Sequence, residues 1–304
     1  MSYPIGNAPC SWGVEFGDDP RNPQWQSVLD DARTAGYNGM ELGPLGYLPE
    51  DPVELTDAMQ SRGLTLTAAV LFRPLHDANK WDEILDATHR TCKSLQTLGA
   101  EQFVIIDSIA EHRVATAGRP DEAPRLDPAD WQSMMDRLKK VCEIATGDYG
   151  MRASLHAHAA GCIEFEDEID RVMEAIPASL IGLCIDTGHC EYARTDPVAL
   201  YHRYHERTPY IHFKDVDNTI REHVVKERIG FYDACGAGLF CNLGDGVVDF
   251  NGFRDALAEH GYQGWATVEQ DCDPSAGNPV IDDARANYDF LRSVGLASIE
   301  GGAA

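Results

Sequence analysis

The chain has 304 residues, a length that suits two average domains or one closed α/β barrel and allows a large buried core. Fifty acidic against 25 basic residues leave a net charge of −25, and only six of the basic residues are Lys. Such a surface repels phosphate backbones and anionic membranes, so neither nucleic acid nor a membrane is an expected partner.

No apolar stretch approaches the roughly 20 residues of a membrane span. The opening "MSYPIGNAPCSWG" lacks the basic and apolar regions of a signal peptide, and the expectation is a soluble, cytoplasmic protein. The nine cysteines contain no CxxC pair, and their odd number and scattered spacing fit reduced thiols. Cys10, Cys162 and Cys190 fall near expected strand ends, where they would line a pocket. With no low-complexity linker and no solenoid repeat, one domain over residues 1–304 is expected.

Short β-rich runs alternate with helical patterns along the chain. "YPIGNAPCSW" (3–12) precedes an amphipathic stretch at 24–36, and "YNGMELG" (37–43) precedes 51–63, where Asp51 can cap and Pro52 suits the first turn. "LTLTAAVLF" (64–72) leads to a long helix across about 78–98, and "EQFVIID" (101–107) to 127–147, opened by another Asp-Pro pair. "MRASLH" (151–156) precedes 164–176, and "LIGLCID" (180–186) precedes 196–207. "PYIHF" (209–213) precedes a long insertion at about 218–250, and "GWATVE" (264–269) precedes a last helix at about 280–294. Eight β-units with runs such as "FVII" and "LIGLCI", apolar on both faces, define a parallel sheet closed as a (β/α)8 TIM barrel. The open doubly wound alternative lacks its GxGxxG signature, since "GNAPCSWG" does not match.

In such a barrel the chemistry gathers where the strands end. Those ends read Trp12, Glu41, Phe72, Asp107, His156, Asp186, His212 and Glu269. Acid and imidazole crowd the later positions, an N/O donor set that suits Mn²⁺, Co²⁺, Fe²⁺ or Zn²⁺ better than Ca²⁺. In "CIDTGH" a bare Asp186 follows an apolar strand, costly unless paired or metal-bound, and His189 follows in the loop facing the same pocket. In "YIHFKD" His212 interrupts an apolar strand with Lys214 on the same face. Asp215 is expected to hold Lys214, fix an imidazole tautomer or reach the substrate. Glu269 in "ATVEQD" can bind metal or take a proton, with Asp271 as an accessory group. Glu41 is placed opposite the metal side, either orienting a substrate hydroxyl or paired with Arg73. The insertion, rich in Gly and aromatics, reads as a lid or wall over the site, or equally as a subunit contact in a homo-oligomer.

Several stretches carry a family resemblance: "GYNGMELGPLGYLPEDP", "SLHAHAAGCIEFEDEIDRVMEA", "LIGLCIDTGHCEYARTDPVAL", "YIHFKDVD" and "GYQGWATVEQDCDPSAGNP". The chain resembles the xylose-isomerase-like TIM barrels, a family of sugar isomerases, epimerases and related lyases. The likeness spans nearly the whole sequence, most closely about 150–280. Within the family it is similar to the keto-inositol dehydratases of inositol catabolism. The resemblance implies a metal set at Asp186, His212 and Glu269, with a fourth ligand from the fifth strand. Isomerases and epimerases usually offer Glu there, one of two glutamates that shuttle a proton. Here His156 takes the position, as a ligand or as a catalytic imidazole beside the metal, and His158 reads as a substrate contact or proton carrier.

The implied activity is a metal-dependent lyase dehydrating a keto-polyol such as 2-keto-myo-inositol, with Mn²⁺ or Co²⁺ as the expected metal and Fe²⁺, Zn²⁺ or Mg²⁺ as alternatives. It removes a proton alpha to the ketone and expels the beta hydroxyl through an enediolate, which the metal stabilises as a Lewis acid. His156 or His189 is expected to do the acid/base work, and Lys214 to stabilise oxyanion charge. The competing readings are a sugar isomerase or epimerase, a beta-elimination lyase acting on 3-keto-glycosides, and a barrel that has kept the fold but lost the chemistry.

Overall fold

Three of the covering helices begin at an Asp that satisfies their first free N–H groups. Asp51, Asp127 and Asp196 each accept two backbone N–H bonds at the starts of α2 (Pro52–Gln60), α4 (Pro128–Tyr149) and α7 (Pro197–Tyr204), with Pro at the first helical position every time. The computed structural model describes residues 2–271 and 280–298; Cys272 and the rest of "CDPSAGNP" lie outside them. The other covering helices are α1 (Trp25–Ala35), α3 (Trp81–Leu98), α5 (Glu166–Ala175), α10 (Phe250–Glu259) and α11 (Val280–Ser293).

The strands run parallel in a sheet that curls round on itself: β1 (Ile5–Asn7), β2 (Gly39–Met40), β3 (Thr65–Leu66), β4 (Ala68–Arg73), β5 (Gln102–Asp107), β6 (Arg152–Leu155), β7 (Gly182–Asp186), β8 (Tyr210–Phe213) and β11 (Ala266–Val268). The third barrel strand is broken at Thr67: its first piece pairs with β2 and its second with β5, so this one run of chain joins the two ends of the sheet. The result is the TIM barrel read from the sequence. Gly39 is required by the tight interior, because a Cβ there would fall 2.3 Å from Thr67 Cγ2.

Side-chain alternation sorts the strands into two faces. On β8, Ile211 and Phe213 pack outward in the main apolar core against the helices, while Tyr210, His212 and Lys214 succeed one another up the barrel interior. Deep inside, Ala68, Val104, Ile106, Cys184 and Tyr210 form a small apolar plug. Above it the interior turns polar. The fold thereby places a dry floor beneath whatever binds at the strand ends.

Three expectations need correction. The first strand ends at Asn7, because Pro9 lacks the N–H needed to continue the ladder; Pro9–Trp12 is a 3-10 turn and Trp12 is not at a strand end. His189 does not stand in a loop but on a short helix, α6 (Thr187–Tyr192). The 218–250 insertion is not an open loop either. It folds into α8 (Asn218–Glu227), α9 (Phe231–Gly236) and β10 (Phe240–Cys241), which pairs antiparallel with β9 (Asp215–Val216) just before it, and Val224, Phe231, Leu239 and Phe240 pack in one cluster with Val216, Ala159, Ala160 and Tyr192.

Candidate metal centre and active site

The strand register brings the acids and imidazoles together. Asp186 and His212 are paired directly across β7 and β8. Glu269 continues the β11 ladder by donating its N–H to Phe213, and His156 does the same from β6 to Ile105. His156, Asp186, His212 and Glu269 are all buried, and one ligand atom from each lies within 4.8 Å of the others.

Two atoms turned toward this cluster, buried Asp186 Oδ2 and His212 Nδ1, lack a well-formed hydrogen bond, and so does the buried Nδ1 of His156. Such atoms are costly to bury and ask for a ligand. Asp186 divides its work, since Oδ1 caps α6 by accepting the His189 N–H at 2.7 Å while Oδ2 faces the cluster. Glu269 Oε2 is 3.1 Å from His212 Nδ1 and His156 Nε2 is 3.4 Å from Asp186 Oδ2. Two imidazoles and two carboxylates fit a first-row divalent cation.

Glu41 corrects the expectation that it stands across the barrel from the metal side. Its Oε1 is 3.0 Å from His212 Nε2 and accepts the Tyr210 hydroxyl at 2.9 Å. A carboxylate on Nε2 holds the ring so that Nδ1 turns to the cluster. Arg73 pairs instead with Glu83, at 3.7 Å.

Lys214 lies buried beside the cluster, 3.3 Å from Asp186, 3.1 Å from Glu269 and 2.8 Å from Asp271. Burial opposes its charge, yet these three carboxylates raise its pKa well above the ordinary lysine value. In return, and again against burial, His212 and Lys214 hold the Glu269 carboxyl down at about 2. Gly188 makes room for this side chain, because a Cβ there would come within 2.6 Å of Lys214 Cγ.

Asp215 does not hold Lys214 or face the cavity. Its carboxylate accepts backbone N–H bonds from Val216, Gly244, Gly246 and Val248, which ties down the chain after β10. Asp107 is also turned aside, toward His76 and the Cys162 N–H. Cys10 lines the cavity as expected, while Cys190 is buried on α6.

His158 and His189 stand over the cluster. His158 Nδ1 lies 2.9 Å from the Ala159 carbonyl, which can only accept, so this nitrogen carries the proton. His189 Nδ1 receives the Ala159 N–H at 3.2 Å and is therefore unprotonated. Burial first, then the neighbouring histidines, holds His158 well below the usual imidazole range; burial and then Lys214 lower His189. Both rings are neutral near pH 7.

The cavity above the cluster measures about 540 Å³. Its walls include Glu15, Phe16, Phe72, Arg73 and, from the folded insertion, Phe231. Sequence reasoning missed Glu15 and Phe16, which lie in a non-periodic segment. Burial and the nearby Asp271 push the Glu15 carboxyl up to about 8.

A single parallel barrel with a buried, mixed imidazole–carboxylate cluster at its strand ends defines a class of TIM barrels. The chain belongs to the xylose isomerase-like TIM barrel family, whose description matches residues 29–294. It is 31% identical to an inosose dehydratase of Geobacillus kaustophilus over 91% of this chain and 90% of that one. It is 30% identical to the rhizopine catabolism protein MocC of Rhizobium meliloti, covering 92% and 85%. Among solved structures, the IOLI protein with a binding zinc atom shares the fold with a TM-score of 0.73 at 14% identity, over 97% of this chain and 98% of that one.

Proposed function

We propose that the protein is a metal-dependent hydro-lyase that removes water from a neutral keto-polyol of the 2-keto-myo-inositol type. The observation that carries this reading is the His158–His189 pair in opposite tautomers above a buried two-imidazole, two-carboxylate cluster. The relatives named inosose dehydratase point the same way.

His156, Asp186, His212 and Glu269 would hold the cation. A divalent metal bound there supplies Lewis-acid charge beside the ketone, where negative charge develops. His158, neutral with Nε2 unprotonated, takes the proton from the carbon alpha to that ketone. His189 presents Nε2–H, 3.7 Å from Asp271 Oδ2, and delivers that proton to the departing beta hydroxyl, which leaves as water. One C–H and one C–O bond break, one C=C bond forms, and the proton gained by His158 restores His189 before the next cycle. Lys214 keeps Asp271 and Glu269 in place and adds positive charge at the same wall.

The cavity walls also bear on substrate charge. Glu15, Asp18, Glu41, Glu83, Glu269 and Asp271 outnumber Arg73 and Lys214, so an unphosphorylated polyol suits the site better than a sugar phosphate. The cavity volume suits a six-membered carbocycle. His156 at the strand-end position usually filled by Glu removes one partner of a symmetric two-glutamate shuttle, which disfavours epimerisation. Turnover in D₂O followed by NMR separates the two reactions. Dehydration gives a dione with one fewer oxygen, whereas an epimer carrying deuterium at an intact carbinol would overturn the proposal.

A further inference from the structure

We infer that His76, Asp107, His112 and Cys162 form a second divalent-metal site on the barrel rim, separate from the His156–Asp186–His212–Glu269 cluster. Ligand atoms of His76, Asp107 and Cys162 lie within 4.8 Å of one another, and His112 Nε2 is 4.0 Å from Cys162 Sγ. His76 follows β4, Asp107 closes β5, His112 stands on the 3-10 turn Glu111–Thr116, and Cys162 lies in the loop after β6. Neighbouring strands thus send one imidazole, one carboxylate and one thiol to the same point, and the turn after β5 brings a second imidazole up to the thiol.

The carboxylate is held as a ligand would be. The His76 N–H reaches Asp107 Oδ1 at 3.0 Å and the Cys162 N–H reaches Oδ2 at 2.8 Å, one backbone donor for each oxygen. The remaining lone pairs of both oxygens face His76 Nδ1, at 2.8 and 3.1 Å. In the metal-free protein one proton occupies that gap, and a cation would replace it. A simple structural ion pair accounts for His76 and Asp107. It leaves unexplained why a thiol approaches the same carboxylate with a further imidazole behind it, at the far side of the sulfur.

One sulfur, two imidazole nitrogens and one carboxylate oxygen make a tetrahedral donor set for Zn²⁺ or Co²⁺. The sulfur distinguishes it from the N/O set of the central cluster. Burial, followed by the Asp107 charge, raises the Cys162 thiol above its ordinary value, so it stays protonated until a metal displaces the proton. His76 is only half-buried and His112 is exposed, which gives an ion a way in. Bound there, it would tie together the loops after β4, β5 and β6.

Co²⁺ titration of metal-stripped full-length protein tests the site without reference to turnover. The variant His212→Ala/Cys10→Ser removes a ligand of the central cluster and the thiol that lies beside Glu269. The expected result is one tightly bound Co²⁺ with a near-ultraviolet sulfur-to-cobalt charge-transfer band, with the thiol proton and the proton between His76 and Asp107 both displaced. Adding Cys162→Ser should abolish the band and that equivalent. No band before that substitution, or a band that survives it, would overturn the inference. Should the combined variant fail to fold, wild type and Cys162→Ser alone decide the matter. The prediction is then two equivalents with a thiolate band against one without, and equal stoichiometry would contradict it.

Discussion

The rings of His158 and His189 lie 4.2 Å apart between centroids, and the two peptide groups of one residue, Ala159, set their tautomers oppositely. One ring therefore offers a lone pair and the other a proton. Replacing His189 with Ala is expected to lower kcat by about 10²–10⁴-fold, the usual contribution of a general acid or base. Metal stoichiometry should not change, because the bond that caps Asp186 comes from the backbone of residue 189. Paired measurements of kcat and bound metal check this, and metal loss in parallel with activity would contradict the role.

Glu41 acts through His212. Its carboxylate meets Nε2 at 3.0 Å, and removing such a partner of a metal-binding imidazole typically weakens metal affinity by about 10–100-fold. Glu41→Ala should show that loss in a chelator competition assay. Tyr210 retains Thr67 as a partner at 2.9 Å, so folding should be spared.

The folded insertion contributes Phe231 to the cavity wall. Tyr232, 45% exposed, faces Phe16, 50% exposed, with 6.4 Å between ring centroids, and the adjacent Phe231 lies 4.8 Å from His158. Tyr232→Ala is expected to raise KM and lower kcat while leaving thermal stability within about 0.5 kcal/mol, as for most surface substitutions. Unchanged kinetics would reduce the pair to ordinary surface residues. Excising the segment is a poorer test, since Leu239 and Phe240 are core residues of the insertion.

Glu164 links stability to pH. It is buried, accepts the Ala160 and Gly118 N–H bonds, and burial pushes its carboxyl up from 4.5 to about 7. A raised carboxyl pKa means the folded chain keeps a proton that the unfolded chain releases, so the stability difference is lost as pH rises from about 4.5 to about 7. At 1.36 kcal/mol per unit the loss is at most about 3.5 kcal/mol. Urea unfolding of wild type and Glu164→Gln at about pH 5 and about pH 8 measures it. The stability of wild type relative to the variant should fall with pH, and a constant difference would refute the assignment.

The barrel and the clustering of four strand-end residues were legible because both follow from regular features. Alternation decides which residue of "YIHFK" points inward, and a parallel sheet aligns the strand ends, so His156, Asp186, His212 and Glu269 converge once the strands are placed. Contacts across the barrel left no such trace. Glu41 and His212 are 171 positions apart, and nothing local reveals their pairing. Asp215 looked like a partner for Lys214 because the two are adjacent, yet adjacent strand residues face opposite ways. The short helix α6 and the six-residue α9 hold too few turns to show a period.

Metal-dependent dehydration is tested most directly by ultraviolet absorbance of 2-keto-myo-inositol mixed with metal-stripped protein, before and after adding Mn²⁺ or Co²⁺. The expected result is a rise from a conjugated dione that begins only on metal addition and is absent in His212→Ala. No rise with metal bound, or an equal rise before metal is added, would contradict it.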